Sequence, residues 1–234
     1  MKLSQREKNQ EKKDFSNVFI LNRMHITKFG HSCLLVEEGS ARILIDPGSW
    51  AVVPESLDGI DAIFITHEHH DHYFPDNLRK LLAVNPTVKI YGNASIVELA
   101  QKENIAVDLL GHQQEVMVKG IKVSGWGEWH AKILDTMPIV RNTGYFVADR
   151  LFYPGDVLNI PEKPVEILAY PAIAPWMNIS DSLNYGKAIK PKVAFPVHDA
   201  FLKIPGPYYL LPEKFFSEVG IKWVVIEDGK SIEV

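Results

Sequence analysis

Short apolar runs rich in β-branched and aromatic residues dominate the hydrophobic pattern of this chain. Glycine, proline or charged residues frame each run, as is typical of buried or half-buried strands. The first half contains five such runs, HITKFG, CLLVEE, ARILIDPG, DAIFIT and TVKIYG. We therefore predict five strands in this half.

Two segments among these strands have a helical period instead. PDNLRKLLAV carries leucines at helical spacing, and Asp76 or Asn77 is positioned to cap its first turn. SIVELAQKEN follows the strand TVKIYG, and Ser95 is its predicted cap. The first half thus alternates strands with two helices.

The second half of the chain repeats this rhythm loosely. Two hairpins are predicted, one around Lys119-Gly120 and one around Asp149. The apolar runs EILAYPA and KVAFPVHD are predicted to be buried strands, and the segment between them predicts a helix at about residues 180–189.

The end of the chain, KWVVIEDGKSIEV, predicts a closing hairpin, because Asp228-Gly229 is a strong two-residue turn signal. Strands outnumber helices, helices occur in both halves, and no linker-like segment divides the chain. We therefore predict one layered α/β domain over residues 21–234. Residues 1–20 are charged and polar, and we expect them to form an N-terminal arm.

Composition narrows the class of protein. The 234 residues are 46% hydrophobic, enough for a sizeable core, and the net charge of −4 comes without a basic stripe, so no nucleic-acid partner is expected. No apolar run approaches the roughly 18 residues of a membrane span, and the N-terminal region lacks the apolar core of a signal peptide. Cys33 is the only cysteine, which excludes an intrachain disulfide, and we interpret it as a small buried hydrophobe. We expect a cytoplasmic protein without membrane contact.

Histidine and aspartate follow several of the predicted strands. Single members are unremarkable, because a lone histidine is often structural and Gly-Asp is an ordinary turn. The carboxyl ends of strands in layered α/β folds, however, face a shared crevice where ligands bind. We therefore predict that five residues from distant segments converge on one site: Asp46, His67, His130, Asp156 and His198.

The stretch THEHHDHYFPDN carries the densest group of polar residues, with four of the chain's nine histidines at positions 67–72. His67 and His69 alternate on an extended segment, so both can face one metal ion. Asp71 and His72 lie where the chain turns and can face a second position, while the residues between, Glu68 and His70, are expected to point away. Nitrogen and carboxylate ligands suit zinc, and also manganese or iron.

The spacing of these residues resembles that of the metallo-β-lactamase superfamily, in its lactonase-like and phosphodiesterase-like metal-dependent hydrolase branch. The matching motif is His67-x-His69-x-Asp71-His72 followed by His130, Asp156 and His198, and GHSCLLVEEGSARILIDPG resembles the family's opening stretch. The resemblance covers about residues 24–230. It implies an α/β fold of the four-layer αββα sandwich type, with two divalent metal ions at one edge.

The resemblance also assigns roles to the residues. It implies that His67, His69 and His130 bind one metal ion, that Asp71, His72 and His198 bind the other, and that Asp156 bridges the two. Asp46 would support the ligands from behind, and His31 would be a hydrogen-bonding neighbour of the site. Because His69 stands where the oxygen-reducing diiron relatives usually have glutamate, the resemblance favours hydrolysis over redox chemistry.

The physical chemistry of such a site agrees with hydrolysis. Two adjacent divalent ions lower the pKa of a shared water toward about 7 and stabilise the charge that develops on the bond under attack. Asp71 would bind a metal ion with one carboxylate oxygen and orient the hydroxide or carry its proton with the other. Asp71 is therefore the predicted catalytic residue.

The substrate is less defined by the sequence. Trp50, Trp129 and Trp176 lie near strand ends and either line a substrate pocket or pack as part of the core or rim. We expect a hydrolase acting on a small, anionic ester, lactone or phosphodiester. A metal-binding sensor without catalysis and a nuclease are the alternatives, and a homo-oligomer is compatible with any of them.

Overall fold

Two seven-stranded sheets form the centre of the molecule. The computed structural model describes residues 23–234, so the predicted polar arm at residues 1–20 lies outside the described part. The strand order is β14-β1-β2-β3-β4-β5-β6 in the first sheet and β13-β12-β11-β10-β9-β8-β7 in the second. The strands of the first sheet are β1 His25–Lys28, β2 Leu34–Glu38, β3 Ala41–Ile45, β4 Ala62–Ile65, β5 Lys89–Gly92, β6 Asp108–Leu109 and β14 Ser231–Glu233. Those of the second are β7 Glu115–Val118, β8 Ile121–Trp126, β9 Gly144–Val147, β10 Leu151–Tyr153, β11 Ile167–Pro171, β12 Val193–Val197 and β13 Lys222–Trp223.

Both faces of each sheet are covered, so the central strands are apolar at nearly every position. In β3, Ile43 and Ile45 face the space between the sheets, where they pack with Phe64, Tyr145 and other residues of both sheets. Leu44 points to the opposite face and belongs to a separate apolar cluster. This alternation follows from the two-residue period of a strand.

Helices cover the outer faces of the two sheets. They are α1 Pro75–Val84 and α2 Ala94–Lys102 on the first sheet, and α3 Ile179–Ile189 and α4 Gly206–Ser217 on the second. Leu78 of α1 and Ile96 of α2 are fully buried against the first sheet, and Phe216 of α4 is fully buried against the second. The layers therefore follow the predicted αββα order, which confirms the fold class.

The predicted helix caps were wrong, although the helices themselves are confirmed. α1 begins at Pro75, so Asp76 and Asn77 lie within its first turn, and the capping position is occupied by Phe74, whose side chain has no hydrogen-bond acceptor. In α2 the side chain of Asn93, not Ser95, accepts hydrogen bonds from the backbone N–H groups of Ser95 and Ile96. Asn93 is the single residue between the end of β5 at Gly92 and the start of α2 at Ala94, which places the cap two positions earlier than the sequence pattern indicated.

The predicted C-terminal hairpin was also wrong. β13 runs parallel to β12 in the second sheet, whereas β14 pairs antiparallel with β1 in the first. The two strands thus pair with the edges of two different sheets. The chain crosses from one sheet to the other between them, and Ile226 on this crossing is buried in the core between the sheets. Helix α4, which contains Pro212, was not predicted, because proline usually interrupts a helix.

None of the helices within residues 23–234 has the length and apolar character needed to cross a membrane.

Candidate metal centre

Loops that follow the strands of both sheets bring the predicted ligands together at one end of the sandwich. Asp46 comes directly after β3, His67 two residues after β4, and His198 directly after β12. Asp156 follows β10, and His130 lies in the loop between β8 and β9. The structure therefore brings these residues from distant segments together at this edge.

The ligand atoms form two groups. Nitrogen atoms of His67, His69 and His130 lie within 4.8 Å of one another, and ligand atoms of a second group, which holds Asp71, His72 and His198 together with His31, lie within the same distance. A third group joins His67 and His72 with Asp156, and the assignment of each residue to one metal ion stays a prediction.

Asp156 lies between the two groups and faces both of them. Its Oδ1 atom is 3.2 Å from Nε2 of His72, and its Oδ2 atom is 2.9 Å from Nε2 of His198 and 3.5 Å from Nε2 of His130. A single carboxylate therefore contacts ligands of each group, as a bridging ligand must.

The donor atoms that face the centre are buried and lack hydrogen-bond partners among the described residues. They are Nε2 of His72, His130 and His198 and Oδ1 of Asp156. Buried polar atoms without partners are rare and call for an explanation such as an ion. Imidazole nitrogen and carboxylate oxygen are the donors that a divalent transition metal prefers, so the residues fit such an ion.

The opposite nitrogen of each of these histidines is held by a hydrogen-bond acceptor. Nδ1 of His72 lies 2.7 Å from Oδ2 of Asp46, and Nδ1 of His198 lies 2.6 Å from the carbonyl oxygen of Ile173. Nδ1 of His130 contacts the carbonyl oxygen of Ala131 in the same way. A proton on Nδ1 leaves the lone pair of Nε2 directed at the centre, the arrangement found in metal-binding histidines.

Asp46 holds two of the histidines from behind. This fully buried carboxylate accepts hydrogen bonds from the backbone N–H of Thr66 at 2.8 Å and from its hydroxyl at 2.7 Å, in addition to the contact with His72. Because the Thr66 hydroxyl donates to Asp46, it is free to accept from Nδ1 of His67, 3.0 Å away. The geometry is that of the supporting role expected for Asp46.

His31 contacts Asp71 from the side away from the cleft. The backbone N–H of Ala200 donates to Nδ1 of His31 at 3.3 Å, and Nε2 of His31 lies 3.1 Å from Oδ2 of Asp71. Burial lowers the pKa of His31 to about 4, although the hydrogen bond with Asp71 opposes this shift. A neutral His31 with Nδ1 accepting carries its proton on Nε2, so it donates to Asp71 rather than binding a metal ion.

The charges of the centre compensate each other. Burial opposes the ionised form of Asp156, but the neighbouring His198 and His72 outweigh it and hold the pKa of Asp156 well below its usual range. Burial likewise opposes the cationic form of His198, and Asp156 outweighs it, raising the pKa of His198 to about 9. The binding of a divalent cation would therefore release protons from this centre.

Three residues of the site have left-handed backbone conformations that non-glycine residues rarely adopt. The φ angles are +40° at His31, +48° at Asp46 and +58° at His198. Each such residue costs on the order of 1–3 kcal/mol and persists only where the surrounding structure holds it. At these three positions the strained backbone carries side chains that belong to the site.

Gly48 allows the loop that carries Asp71 and His72 to pass very close to the chain after β3. A Cβ atom at position 48 would lie 1.9 Å from the backbone oxygen of Asp71 and 2.4 Å from the backbone nitrogen of His72. These neighbours are backbone atoms, which cannot move away from an added methyl group as the end of a flexible side chain can.

Gly48→Ala is therefore expected to lower the free energy of unfolding by about 3 kcal/mol, the upper range for inserting one methyl group into a packed site, and to weaken metal binding. Urea unfolding and the metal content of the purified protein measure the two effects. Gly111→Ala is the matched control, because its new Cβ would meet its nearest neighbour at an ordinary 3.6 Å. Equal stability of the two variants would contradict the steric argument.

Two residues that support the centre were not singled out from the sequence. Thr66 connects Asp46 with His67, and its position directly before the histidine cluster was the available signal. Asn142 accepts a hydrogen bond from the backbone N–H of Asp156 at 3.0 Å and donates to the carbonyl oxygen of Pro154 at 2.9 Å. Nothing in the sequence around Asn142 marks it, since its partner Asp156 lies on the far side of the β9–β10 hairpin.

A cleft of about 320 Å³ opens onto the ligands, at the lower end of the usual size for small-molecule sites. Trp50 and Trp176 line it, and Nε1 of Trp176 donates to Oδ2 of Asp156 at 3.2 Å. His70, expected on the surface, has a side chain 68% exposed, but it stands beside Trp50 at the mouth of the cleft.

Two further observations concern the expected substrate pocket. Trp129 lies outside this cleft, in a neighbouring groove where its ring packs against the guanidinium group of Arg141 at 4.8 Å. The residues lining the cleft, all of them within the described part of the chain, include no lysine or arginine. The anionic substrate expected from the sequence stays a prediction.

Comparison with known proteins agrees with the fold. The sequence profile of the β-lactamase superfamily domain matches residues 25–198. Protein Rv0786c of Mycobacterium tuberculosis is 38% identical over 76% of this chain and 85% of its own length. A UPF0173 metal-dependent hydrolase of Aeropyrum pernix is 36% identical over 89% of this chain and 96% of its own length. The structure of Igni18, a metallo hydrolase of Ignicoccus hospitalis, superposes with a TM-score of 0.71 at 21% identity, covering 91% of this chain and 99% of that one.

The αββα sandwich with a histidine- and aspartate-rich centre at its edge thus defines a class, the metallo-β-lactamase superfamily. The chain belongs to this superfamily, and within it to the metal-dependent hydrolases that carry the UPF0173 name.

Proposed function

We propose that this protein is a dinuclear metal-dependent hydrolase that cleaves an ester, lactone or phosphodiester bond of a small molecule. The observation that carries the proposal is the position of Asp156, whose carboxylate faces both groups of candidate ligands. The similarity to the metal-dependent hydrolase of Aeropyrum pernix also supports the proposal, since the alignment extends over nearly the whole of that protein.

His67, His69 and His130 would hold one metal ion, and Asp71, His72 and His198 the other, with Asp156 shared between them. Zinc is the default ion for a histidine-rich set, and manganese and iron use the same donors. Two divalent ions at this position supply an activated water and polarise the bond under attack. The buried donor atoms without hydrogen-bond partners support this assignment.

Asp71 is the residue that would take a proton in the reaction. Its Oδ2 atom accepts the hydrogen bond from His31, whereas its Oδ1 atom lies 3.5 Å from the exposed His70 at the mouth of the cleft. The neighbouring His198 and His31 hold the pKa of Asp71 far below its usual range, although burial opposes them. The low pKa keeps Asp71 ionised, so its Oδ1 atom would orient the attacking water and relay the proton of that water to the departing group without retaining it.

Replacing Asp71 by asparagine tests this role. Asparagine keeps a carbonyl oxygen in place but cannot accept the proton, so kcat for a model ester or phosphodiester should fall about 100-fold or more. Asp71→Ala should reduce turnover at least as much, and Asp76→Asn on the nearby surface is the control. Full activity of either Asp71 variant would show that the proton goes elsewhere.

Metal content and turnover of a substrate panel test the function as a whole. The protein is expected to bind two equivalents of divalent metal per chain, and the loaded protein should hydrolyse at least one of a phosphodiester, a lactone and a thioester, with loss of activity on chelation. Two bound equivalents without turnover in a broad panel would favour the metal-binding sensor. The cytoplasmic location and a homo-oligomeric state stay predictions from the sequence.

A further inference from the structure

Aromatic side chains line the cleft beside the centre and pack against the candidate ligands and their neighbour His31. Trp50 and Phe201 pack edge to face, with ring centroids 4.9 Å apart. Both also contact the ring of His31, at 4.8 Å and 5.6 Å, and Phe201 contacts the ring of His198 at 5.5 Å. These contacts position the two aromatic rings beside the second group of ligands.

Near the first group of ligands, Trp176 forms a second apolar surface. Its ring lies 5.9 Å from that of His130, and Ile133 lines the cleft beside it. The indole N–H of Trp176 donates to Asp156. The ring of Trp176 therefore offers a substrate apolar contact without a hydrogen bond. Phe201 is 45% exposed, which leaves an aromatic face open at the mouth.

Among the described residues that line the cleft, no lysine or arginine is present to bind an anionic group away from the reacting bond. Of the basic residues near it in sequence, Lys132 pairs with Asp135 at 2.6 Å, and Arg141 packs over Trp129 in the neighbouring groove. A carboxylate or phosphate placed against the wall of Trp50, Phe201 and Trp176 would lose hydration without gaining a counter-charge, which is costly. A hydrocarbon group would instead gain by leaving water.

We propose that the substrate is a neutral ester or lactone whose acyl part is aromatic or a short hydrocarbon chain, and that Phe201 determines this specificity. The proposal rests on the proposed hydrolase function and narrows its substrate class. In the reaction the oxygen of water bonds to the acyl carbon and the acyl C–O bond breaks. The alcohol oxygen takes one proton of the water, and the carboxylic acid product releases its own proton at neutral pH.

A matched pair of esters tests the preference on the metal-loaded protein. 4-Nitrophenyl butyrate and 4-nitrophenyl hemisuccinate share the leaving group and differ in a terminal methyl against a terminal carboxylate. The value of kcat/KM should be at least about tenfold higher for the butyrate, because the wall accepts the methyl group and offers the carboxylate no partner. Bis(4-nitrophenyl) phosphate serves as the phosphodiester arm.

Variants of Phe201 test the assigned wall. Phe201→Ala should raise KM for the butyrate about tenfold, because it removes most of one aromatic contact surface, and should leave the values for the hemisuccinate nearly unchanged. Phe201→Leu, which keeps apolar surface, should recover most of the loss. Ile204→Ala is the control, since Ile204 lies three residues away, is highly exposed and does not line the cleft.

A pair of ketones that cannot be hydrolysed gives a readout independent of turnover. Butyrophenone and 4-oxo-4-phenylbutanoate differ in the same methyl and carboxylate groups, and titration calorimetry should show tighter binding of butyrophenone that Phe201→Ala weakens. Equal or better use of the anionic member of either pair, or an unchanged KM in Phe201→Ala, would overturn the proposal.

The outcomes separate this proposal from the one it rests on. Metal-dependent cleavage of the phosphodiester alone would uphold the hydrolase function and overturn the neutral-ester preference. Preferred binding of butyrophenone without turnover of any substrate would uphold the apolar specificity of the cleft and overturn the hydrolase function.

Discussion

Replacing Asp156 by alanine is expected to reduce bound metal from two equivalents per chain to one or fewer and to lower hydrolysis to the level of chelator-treated protein. Asp156 is the described carboxylate that faces ligands of both groups, at 2.9 Å from His198 of one group and 3.5 Å from His130 of the other. Loss of an outer partner of a metal ligand alone costs about 10- to 100-fold in affinity, so loss of a shared ligand should exceed that range. Asp156→Asn should behave similarly, because it keeps the shape of the side chain but removes its charge.

Elemental analysis of metal per chain, together with initial rates, measures this effect. Asp108→Asn is the control, since Asp108 lies on the edge strand β6 with a side chain 62% exposed. Unfolding curves of the metal-free proteins separate ligand loss from misfolding. Retention of two tightly bound equivalents at a near-normal rate in Asp156→Ala would refute the bridging role.

Replacing Lys28 by methionine is expected to lower the free energy of unfolding by about 3–5 kcal/mol, the cost of leaving one partner of a buried ion pair alone. Nζ of Lys28 lies 2.6 Å and 2.5 Å from the two carboxylate oxygens of Asp199, and the side chains are only 3% and 5% exposed. The hydroxyl of Tyr209 donates to the same carboxylate at 2.7 Å. Methionine fills a similar volume but leaves the charge of Asp199 buried with no cation at Nζ.

This ion pair is also connected to the candidate metal centre through the backbone. Asp199 directly follows His198, whose backbone is in the left-handed region, and the N–H of Ala200 donates to His31. Lys28→Met should therefore weaken metal binding as well as stability, because the segment that carries His198 loses its anchor. A readout of metal affinity distinguishes this effect from a general loss of stability.

Urea unfolding of four proteins measures the contribution of the pair. The double variant Lys28→Met/Asp199→Asn should regain part of the lost stability, since it removes the uncompensated charge. Lys89→Met is the matched control, because its partner Asp108 lies 3.8 Å away and both side chains are more than 60% exposed, so the cost should stay below about 1 kcal/mol. A similarly small cost for Lys28→Met would contradict the expected burial penalty.

Local sequence patterns were sufficient for most of the fold. The leucine spacing of PDNLRKLLAV predicted α1, and the structure places Pro75–Val84 over the same residues. The hairpins at Lys119-Gly120 and Asp149 are present as β7–β8 and β9–β10. Helix period, strand alternation and turn residues act over a few positions, so they can be read without knowledge of the partner segments.

Apart from the helix caps, the errors concern features that depend on distant partners. The Asp228-Gly229 turn gave no indication that β13 and β14 join different sheets, since that choice depends on the free edges of β12 and β1. Helix α4 forms around Pro212 with Phe216 fully buried against the second sheet, and its packing outweighs a residue that disfavours helix locally.

For the centre, the sequence by itself determined which side chains are available: the histidines and aspartates that follow strand ends, recognisable from residue type and spacing. Only the tertiary structure decided that Asp156 faces both ligand groups, that His31 donates to Asp71, that Trp176 lines the cleft while Trp129 does not, and that Lys28 neutralises Asp199. The physical reason is that residue type and local period are properties of a short segment, whereas distance, burial and charge compensation arise between segments that meet only when the two sheets pack together.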